Sequence, residues 1–102
     1  MTGRYRISEK AIADLEEIWF YTYNKWAIKQ ADRYHNLIIG EIEYISDNFE
    51  LSRKMDYIRP GYRMSKVKSH LIFYKILEDD TILIIRILHQ SMEIENRLKD
   101  DE

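Results

Sequence analysis

The chain has 102 residues and a formal net charge of −2; 45% of its residues are hydrophobic and none is cysteine. This length and composition predict one folded domain over residues 1–102 and exclude a disordered or low-complexity chain. The absence of cysteine excludes disulfides, thiolate nucleophiles and the usual structural zinc sites, and the near-neutral charge argues weakly against a protein that mainly holds RNA.

The N-terminal half predicts a strand followed by two helices. The alternating "RYRI" predicts a short strand, and Ser8 is placed to cap the helix that follows. Apolar residues then recur at three- and four-residue steps, stop near "YNKWA", and resume from Ile28 to Ile45. Two helices joined by a short break should pack as an antiparallel hairpin. The predicted stripe of the first helix comprises Ala11, Ile12, Leu15, Ile18, Trp19, Tyr23 and Trp26, and that of the second comprises Ile28, Ala31, Tyr34, Leu37, Ile38, Ile42 and Ile45.

The C-terminal half changes to β periodicity after "RPG" at 59–61. "YRMSKVK", "LIFYKIL" and "TILIIRILH" predict three strands in an antiparallel meander, and "MEIENRLKDDE" predicts a short helix or a frayed tail. The order β-α-α-β-β-β-α predicts an α+β fold, with the helical hairpin packed on one face of a small twisted antiparallel sheet.

The register of these strands predicts two faces. A tip at Asp79 and Asp80 sets Phe73 opposite Arg86 and His70 opposite His89, and a tip at Ser69 and His70 sets Lys66 beside Phe73. The helix-facing side would carry Ile72, Tyr74, Ile76, Leu83, Ile85 and Ile87, and the other side Lys66, Lys68, Phe73, Lys75, Ile84, Arg86 and Leu88. We call the second side the basic groove. Its apolar residues require a cover, either the C-terminal segment, through Met92, Ile94 and Leu98, or a separate chain with acidic side chains.

The distribution of charge agrees with such a groove. Residues 8–50 contain nine acidic and four basic side chains, whereas residues 53–75 contain seven basic side chains and Asp56 alone as an acid. This basic centre either faces an anionic partner or is the solvated side of a sheet. No stretch of about 18 apolar residues and no signal peptide is present. We therefore expect a cytoplasmic protein without membrane contact.

The sequence carries no strong catalytic or metal signature. His89 and Glu93 are four apart, which is a weak metal signal, and His89 is predicted instead to cap the end of a strand. His35 is predicted to be a packing residue and His70 to lie in a turn. Metal-independent RNA cleavage would use Lys66, Lys68 and Arg86 as cations, but the proton-transfer candidates His89 and Tyr74 fall on the opposite face. No metal, cofactor or catalytic residue is therefore predicted.

Residues 61–98, with "GYR", "HLIFYKI" and "IIRILHQSME", resemble the C-terminal half of ParE toxins of the RelE/ParE superfamily. The first half agrees through "ISEKAIADLEEIWFYT", Trp26 and "QADRYHNLI". The resemblance implies a toxin that inhibits DNA gyrase by binding and is neutralised, in a hetero-oligomer, by a ParD-type antitoxin. That antitoxin's C-terminal segment would wrap over the hairpin and sheet. The RelE branch, which cuts messenger RNA on the ribosome, generally carries a terminal tyrosine that "HQSME" lacks.

The resemblance leaves two alternatives: a ribosome-dependent endoribonuclease on the same fold, and an inactive homologue that binds only its antitoxin. Direct sequence-specific nucleic-acid binding is not expected. The proposed contacts with the antitoxin or target are Tyr62, Arg63, Lys66, Lys68, Phe73, Lys75, Arg86 and Leu88, with Met92, Ile94, Arg97 and Leu98 in a tail that reaches the target.

Overall fold

The computed structural model describes residues 4–99. It has strands β1 (Tyr5–Ile7), β2 (Arg53–Lys54), β3 (Tyr62–Val67), β4 (His70–Ile76) and β5 (Ile82–His89), and helices α1 (Glu9–Lys25), α2 (Ile28–Asp47) and α3 (Ile94–Lys99). A 3₁₀ turn (Phe49–Leu51) precedes β2. The predicted α+β order is confirmed with one addition, β2, which is too short to produce an alternating pattern. No helix in this described part combines the length and apolar character needed to cross a membrane.

The five strands form one sheet in the order β1-β5-β4-β3-β2. Strands β3, β4 and β5 make the predicted antiparallel meander. Strand β1 pairs in parallel with the first part of β5, from Tyr5 opposite Ile82 to Ile7 opposite Ile84. Because β1 and β2 occupy opposite edges, the helical hairpin between them crosses the sheet. Beyond Ile84, this edge of β5 faces α1 instead of β1.

Helix α1 begins as the sequence predicts, because Ser8 Oγ accepts a hydrogen bond from Ala11 N at 3.1 Å. The predicted apolar stripe is nevertheless wider than the face that packs on the sheet. Ala11 and Leu15 are buried, whereas Ile12 is 46% and Trp26 68% exposed. Helix α2 repeats this behaviour, since Ile28 and Leu37 of its predicted stripe are also exposed.

Two apolar layers hold the sheet. On the helix side, buried aliphatic and aromatic residues of α1, α2 and the strands pack together: Ala11, Leu15, Ile38, Ile42, Ile45, Val67, Ile72, Tyr74, Ile82, Ile84 and Ile87. On the other side, a second cluster comprises Met55, Tyr62, Phe73, Ile85, Leu88 and Leu98. Each fully buried large side chain contributes about 1.5–3 kcal/mol of transfer free energy, so neither layer is incidental to folding.

A β-bulge in β5 changes the predicted faces. The register is as predicted from His70 opposite His89 to Phe73 opposite Arg86, but Tyr74 then pairs with Ile84, which leaves Ile85 without a partner. One extra residue reverses the alternation before it. The predicted helix-facing positions of Leu83 and Ile85 are therefore wrong, and so is the predicted outward position of Ile84: the first two join the second cluster and Ile84 joins the helix-side core.

The β3–β4 hairpin is shifted by two residues from its predicted register. Val67 pairs with His70, so Lys68 and Ser69 form the tip, and Lys66 lies opposite Leu71 instead of Phe73. Lys68 adopts a left-handed backbone conformation with φ of 54°. A two-residue loop with positive φ suits the right-handed twist of paired strands. A shift of two keeps every residue on its predicted face.

Candidate functional site

The predicted basic groove is covered by the chain itself. Tyr62, Phe73 and Leu88 are at most 1% exposed, and they pack with Leu98 of α3, which is fully buried. Arg59 Nη2 also donates to the Leu98 carbonyl at 3.4 Å. The sequence allows either the C-terminal segment or a separate chain to cover this face of the sheet, and in the structure the C-terminal segment covers it. The predicted contacts Tyr62, Phe73 and Leu88 are core residues while α3 keeps this position.

The other residues of the predicted target-contact tail are partly buried or exposed. Ile94 is partly buried against the second cluster, whereas Met92 is 38% exposed and Arg97 is exposed. The tail thus packs on its own sheet through Ile94 and Leu98. Only Met92 and Arg97 of the predicted target-contact tail present their side chains to solvent.

Four cations of the basic centre are exposed at one edge of the sheet, and we call them the cationic edge: Arg53, Lys54, Lys66 and Lys68. Two other residues predicted as contacts, Arg63 and Lys75, are not part of the cationic edge. Arg63 Nη1 donates to the backbone carbonyls of Ser52 at 3.0 Å and Glu50 at 3.3 Å, which fixes the segment before β2. Lys75 is half-buried beside Leu83. The cationic edge is therefore the part of the predicted basic surface that remains accessible.

Arg86 lies away from the cationic edge and forms a buried ion pair with Asp14 of α1. Arg86 Nε donates to Asp14 Oδ2 at 2.8 Å, and Nη2 donates to Oδ1 at 2.9 Å. Ile87 N donates to the same Oδ2 at 2.9 Å, and Ser8 Oγ donates to the Ile85 carbonyl at 2.8 Å. Helix α1 thus supplies the hydrogen bonds that β1 is too short to supply. The predicted place of Arg86 in the basic groove is corrected: Arg86 pairs with Phe73 as predicted, but its guanidinium lies at the open edge of β5, where Asp14 of α1 binds it.

A pocket of about 400 Å³ lies between α1 and the paired ends of β4 and β5, and we call it the histidine pocket. His70 and His89 line it with ring centroids 5.2 Å apart in an edge-on arrangement. The Tyr34 hydroxyl of α2 lies 2.6 Å from His70 Nδ1, and Ser91 N donates to His89 Nδ1 at 3.1 Å. His89 ends β5, as predicted. His70 begins β4, so its predicted place in a turn is wrong.

Electrostatics make this pocket a poor site for phosphodiester chemistry. Burial, and then the nearby His89, lower the pKa of His70 from 6.5 to about 4, against the opposing effect of Asp14. His70 is therefore neutral at pH 7. Asp14 and Glu17 also line the pocket, and Asp14 already pairs with Arg86. Two imidazoles could exchange a proton, but the lining supplies carboxylates where a phosphoryl transition state needs cations. Within residues 4–99, no three His, Asp or Glu side chains are grouped to hold a metal ion.

The sequence interpretation missed two residues that organise this region. Asp14 lies three residues after Ala11 and four before Ile18, so an acid on the apolar face of α1 was the available signal. Tyr34 was predicted as a packing residue, and it is half-buried, but its hydroxyl contact with His70 joins α2 to the start of β4. No local pattern marks that contact.

Comparison with known proteins gives consistent matches. A family model described as "ParE toxin of type II toxin-antitoxin system, parDE" matches residues 5–94. Toxin ParE1 of Mycobacterium tuberculosis is 40% identical over 98 residues, which are 96% of this chain and 100% of that protein.

Two solved structures share the fold. A chain of the chromosomal ParDE TA system from P. aeruginosa gives a TM-score of 0.73 at 17% identity, covering 85% of this chain and 95% of that one. A chain of the toxin–antitoxin complex RelBE2 from Mycobacterium tuberculosis gives 0.59 at 14% identity, covering 87% and 99%. At these identities the likeness concerns the fold alone.

Proposed function

Since this chain belongs to the ParE toxin family of type II toxin–antitoxin systems, we propose that it is a toxin that inhibits DNA gyrase by binding. A ParD-type antitoxin neutralises it in a hetero-oligomer. The observation that carries the proposal is the family match over residues 5–94, a range that includes all five strands and helices α1 and α2. This target requires a cytoplasmic toxin.

The cationic edge is the proposed antitoxin surface. β2 pairs only with Arg63 and Met64 of β3, so Lys66 lies on β3 beyond the end of β2, at the margin of the sheet. An extended acidic segment could lie along this margin and place its carboxylates near Lys66 and Lys68. Exposed ion pairs contribute only about 0.2–1 kcal/mol each, so we expect several pairs to act together and the affinity to fall with salt.

Two features favour inhibition by binding over RNA cleavage. The cations of the cationic edge are separate from the histidine pocket, whose lining includes Asp14 and Glu17. Arg86 is paired with Asp14, one of the carboxylates in that lining. A ribonuclease needs cations and proton-transfer groups at the same phosphate, and this division of groups supports the binding mechanism.

The deciding experiment is induction of the protein without its antitoxin, with two readouts in the same cells. Gyrase-linked DNA breaks, together with inhibition of supercoiling by purified gyrase, are the expected result. Cleavage of ribosome-bound messenger RNA without DNA breaks would establish the ribonuclease alternative and refute gyrase inhibition. Growth without either lesion would identify an inactive homologue that binds only its antitoxin.

Variants of the histidine pocket and the cationic edge separate the two roles. The double variant His70→Gln/His89→Gln should keep gyrase inhibition, whereas a ribonuclease using either imidazole would lose about a hundredfold or more in rate. The double variant Lys66→Glu/Lys68→Glu should weaken antitoxin binding about tenfold or more at low salt. Lys29→Glu, an exposed charge reversal on α2, is the matched control and should leave that affinity nearly unchanged. Equal affinities for the two charge-reversed proteins would exclude the cationic edge as the antitoxin surface.

A further inference from the structure

The histidine pocket brings three side chains that can bind a metal ion to one place. His70 and His89 are directly paired across β4 and β5, and both line the pocket. Met92 lines the same pocket, because a turn after β5, in which Met92 N donates to the His89 carbonyl at 3.0 Å, returns the chain to it. The cluster thus contains two imidazoles and one thioether, and thioether sulfur is a ligand for soft metal ions.

The distance between the two imidazole rings suits a shared ion. Their centroids lie 5.2 Å apart and their planes are at 89° to each other. Two imidazoles bound to one ion through metal–nitrogen bonds of about 2 Å, at an angle of about 115°, have centroids roughly 5 Å apart. Each ring can rotate about its own metal–nitrogen bond, so perpendicular planes are compatible with this geometry. Pairing across the strands therefore sets the rings at the separation that one ion requires.

Tyr34 prepares His70 to bind a metal ion. The Tyr34 hydroxyl donates to the Val67 carbonyl at 3.4 Å, so its oxygen can accept from His70 Nδ1–H, 2.6 Å away. This arrangement places the His70 proton on Nδ1 and leaves the lone pair of Nε2 for a ligand. Imidazoles that bind metals commonly donate their other N–H to such a partner, which fixes the tautomer and the orientation of the ring.

Ser91 has the corresponding place beside His89. Its hydroxyl lies 2.7 Å from His89 Nδ1 and can accept a proton held there. When His89 Nε2 binds an ion, the proton moves to Nδ1 and the backbone N–H of Ser91, an exposed residue, is solvated instead. Within residues 4–99, no hydrogen bond involves Nε2 of either histidine, and neither of these atoms is buried. Both Nε2 atoms are therefore accessible to an ion.

The donor set selects the metal ion. Thioether sulfur favours Cu⁺, whereas Zn²⁺ prefers four ligands drawn from thiolates, imidazoles and carboxylates. In the described part of the chain, no three His, Asp or Glu side chains are grouped to hold a metal ion, so a site for Zn²⁺ is not formed. The Glu17 carboxylate in the lining favours a cation over an anion. These observations together indicate a soft cation.

We propose that His70 Nε2, His89 Nε2 and Met92 Sδ bind one Cu⁺ ion in the histidine pocket. The ion joins the paired ends of β4 and β5 to the segment that leads into α3, because Met92 lies two residues before Ile94, the first residue of that helix. Bound copper therefore stabilises α3 in its position over the second apolar cluster. The proposal does not depend on the antitoxin or on gyrase, and its test uses neither.

The test is an anaerobic titration of the full-length protein with Cu⁺ in competition with a coloured Cu⁺ chelator. We expect one ion per chain, and a melting temperature raised by about 10 °C or more when free Cu⁺ exceeds the Kd about a hundredfold. His70→Gln and His89→Gln should each weaken Cu⁺ binding by at least about a hundredfold, because loss of even a supporting contact of a metal ligand costs about 10–100-fold. His35→Gln, which removes the third histidine of the chain, is the matched control and should bind Cu⁺ like the wild type.

Met92→Leu tests the choice of metal. This change preserves the size and apolar character of an exposed side chain and removes its sulfur, so the fold is retained. It should weaken Cu⁺ binding by about tenfold or more, and it should leave the affinity for Zn²⁺ unchanged. X-ray absorption at the copper edge should show a copper–sulfur distance in the wild type that is absent in Met92→Leu.

Two results would overturn the proposal. Equal Cu⁺ affinities of the wild type and the two histidine variants would exclude the histidine pocket as the copper site. Zn²⁺ binding as tight as Cu⁺ binding, or wild-type Cu⁺ affinity in Met92→Leu, would refute ligation by the thioether. Circular dichroism of each variant distinguishes lost binding from lost folding, and Met92→Leu provides a decisive result even if a histidine variant unfolds.

Discussion

Replacing Asp14 by asparagine should unfold the protein at much lower denaturant than the wild type. The Asp14 carboxylate accepts two hydrogen bonds from Arg86 and one from Ile87 N, all between 2.8 and 2.9 Å. Its side chain is 9% exposed and that of Arg86 is 13% exposed, so water cannot fully replace the lost charge. Removing one partner of a buried ion pair costs about 3–5 kcal/mol, a large part of a total stability of about 5–15 kcal/mol.

Urea unfolding at pH 7, followed by circular dichroism, measures this loss. A loss near 3 kcal/mol lowers the midpoint by about 1–3 M at the usual urea dependence for small domains. Glu17→Gln, an exposed acid on the same helix, is the control and should change stability by no more than about 0.5 kcal/mol. The double variant Asp14→Leu/Arg86→Met should recover most of the loss, because it leaves no unpaired buried charge. The reasoning is refuted if Asp14→Asn is as stable as the control, or if the double variant loses the sum of both single changes.

Further changes test the histidine pocket and the backbone conformation at two glycines. Lowering the pH from 6.5 toward 4 should reduce the free energy of unfolding, because burial lowers the pKa of His70 to about 4 in the folded protein and the unfolded chain is therefore protonated first. His70→Gln should reduce this pH dependence. An equal pH dependence of stability in His70→Gln and the wild type would contradict the reasoning. Tyr34→Phe should lower the free energy of unfolding, measured by denaturant titration, by about 1 kcal/mol, because it removes the hydroxyl that lies 2.6 Å from His70 Nδ1. An unchanged denaturation midpoint would show that this contact does not stabilise the fold. Gly61→Ala should destabilise by about 1 kcal/mol because its φ is +83°. Gly40→Ala, within the exposed side of α2, should instead raise the melting temperature, with a gain of about 0.5–1 kcal/mol; shifts of the same sign would contradict the backbone argument.

Local patterns were sufficient for the family and for the strands and helices other than β2. The Ser8 cap, the break before Ile28 and the change of period after Pro60 each depend on residues close together in the sequence. The predicted β4–β5 register holds from His70 to Phe73, but only on the far side of the bulge; next to the turn, Ile76 pairs with Ile82, one residue away from the predicted register. The α+β fold and the ParE family follow from these features together.

The candidate site was predictable only in part. Lys66 and Lys68 are exposed, as a basic surface requires, whereas Tyr62, Phe73 and Leu88 are buried beneath α3. An alternating pattern identifies which side chains share a face, but it does not identify what covers that face. The cover depends on residues that are distant in sequence, such as Leu98 against Phe73.

The sequence by itself determined the order of the helices and of every strand except β2, the charge division and the family, because helix and strand periods are local properties of the chain. Only the tertiary structure decided which surface is open. The bulge at Ile85 reverses one stretch of alternation, and the short β1 leaves an edge that Asp14 of α1 satisfies. Both effects depend on pairing between distant segments: the bulge moves Ile84 into the helix-side core, and the open edge allows Asp14 to pair with Arg86, which the sequence predicted as a binding residue.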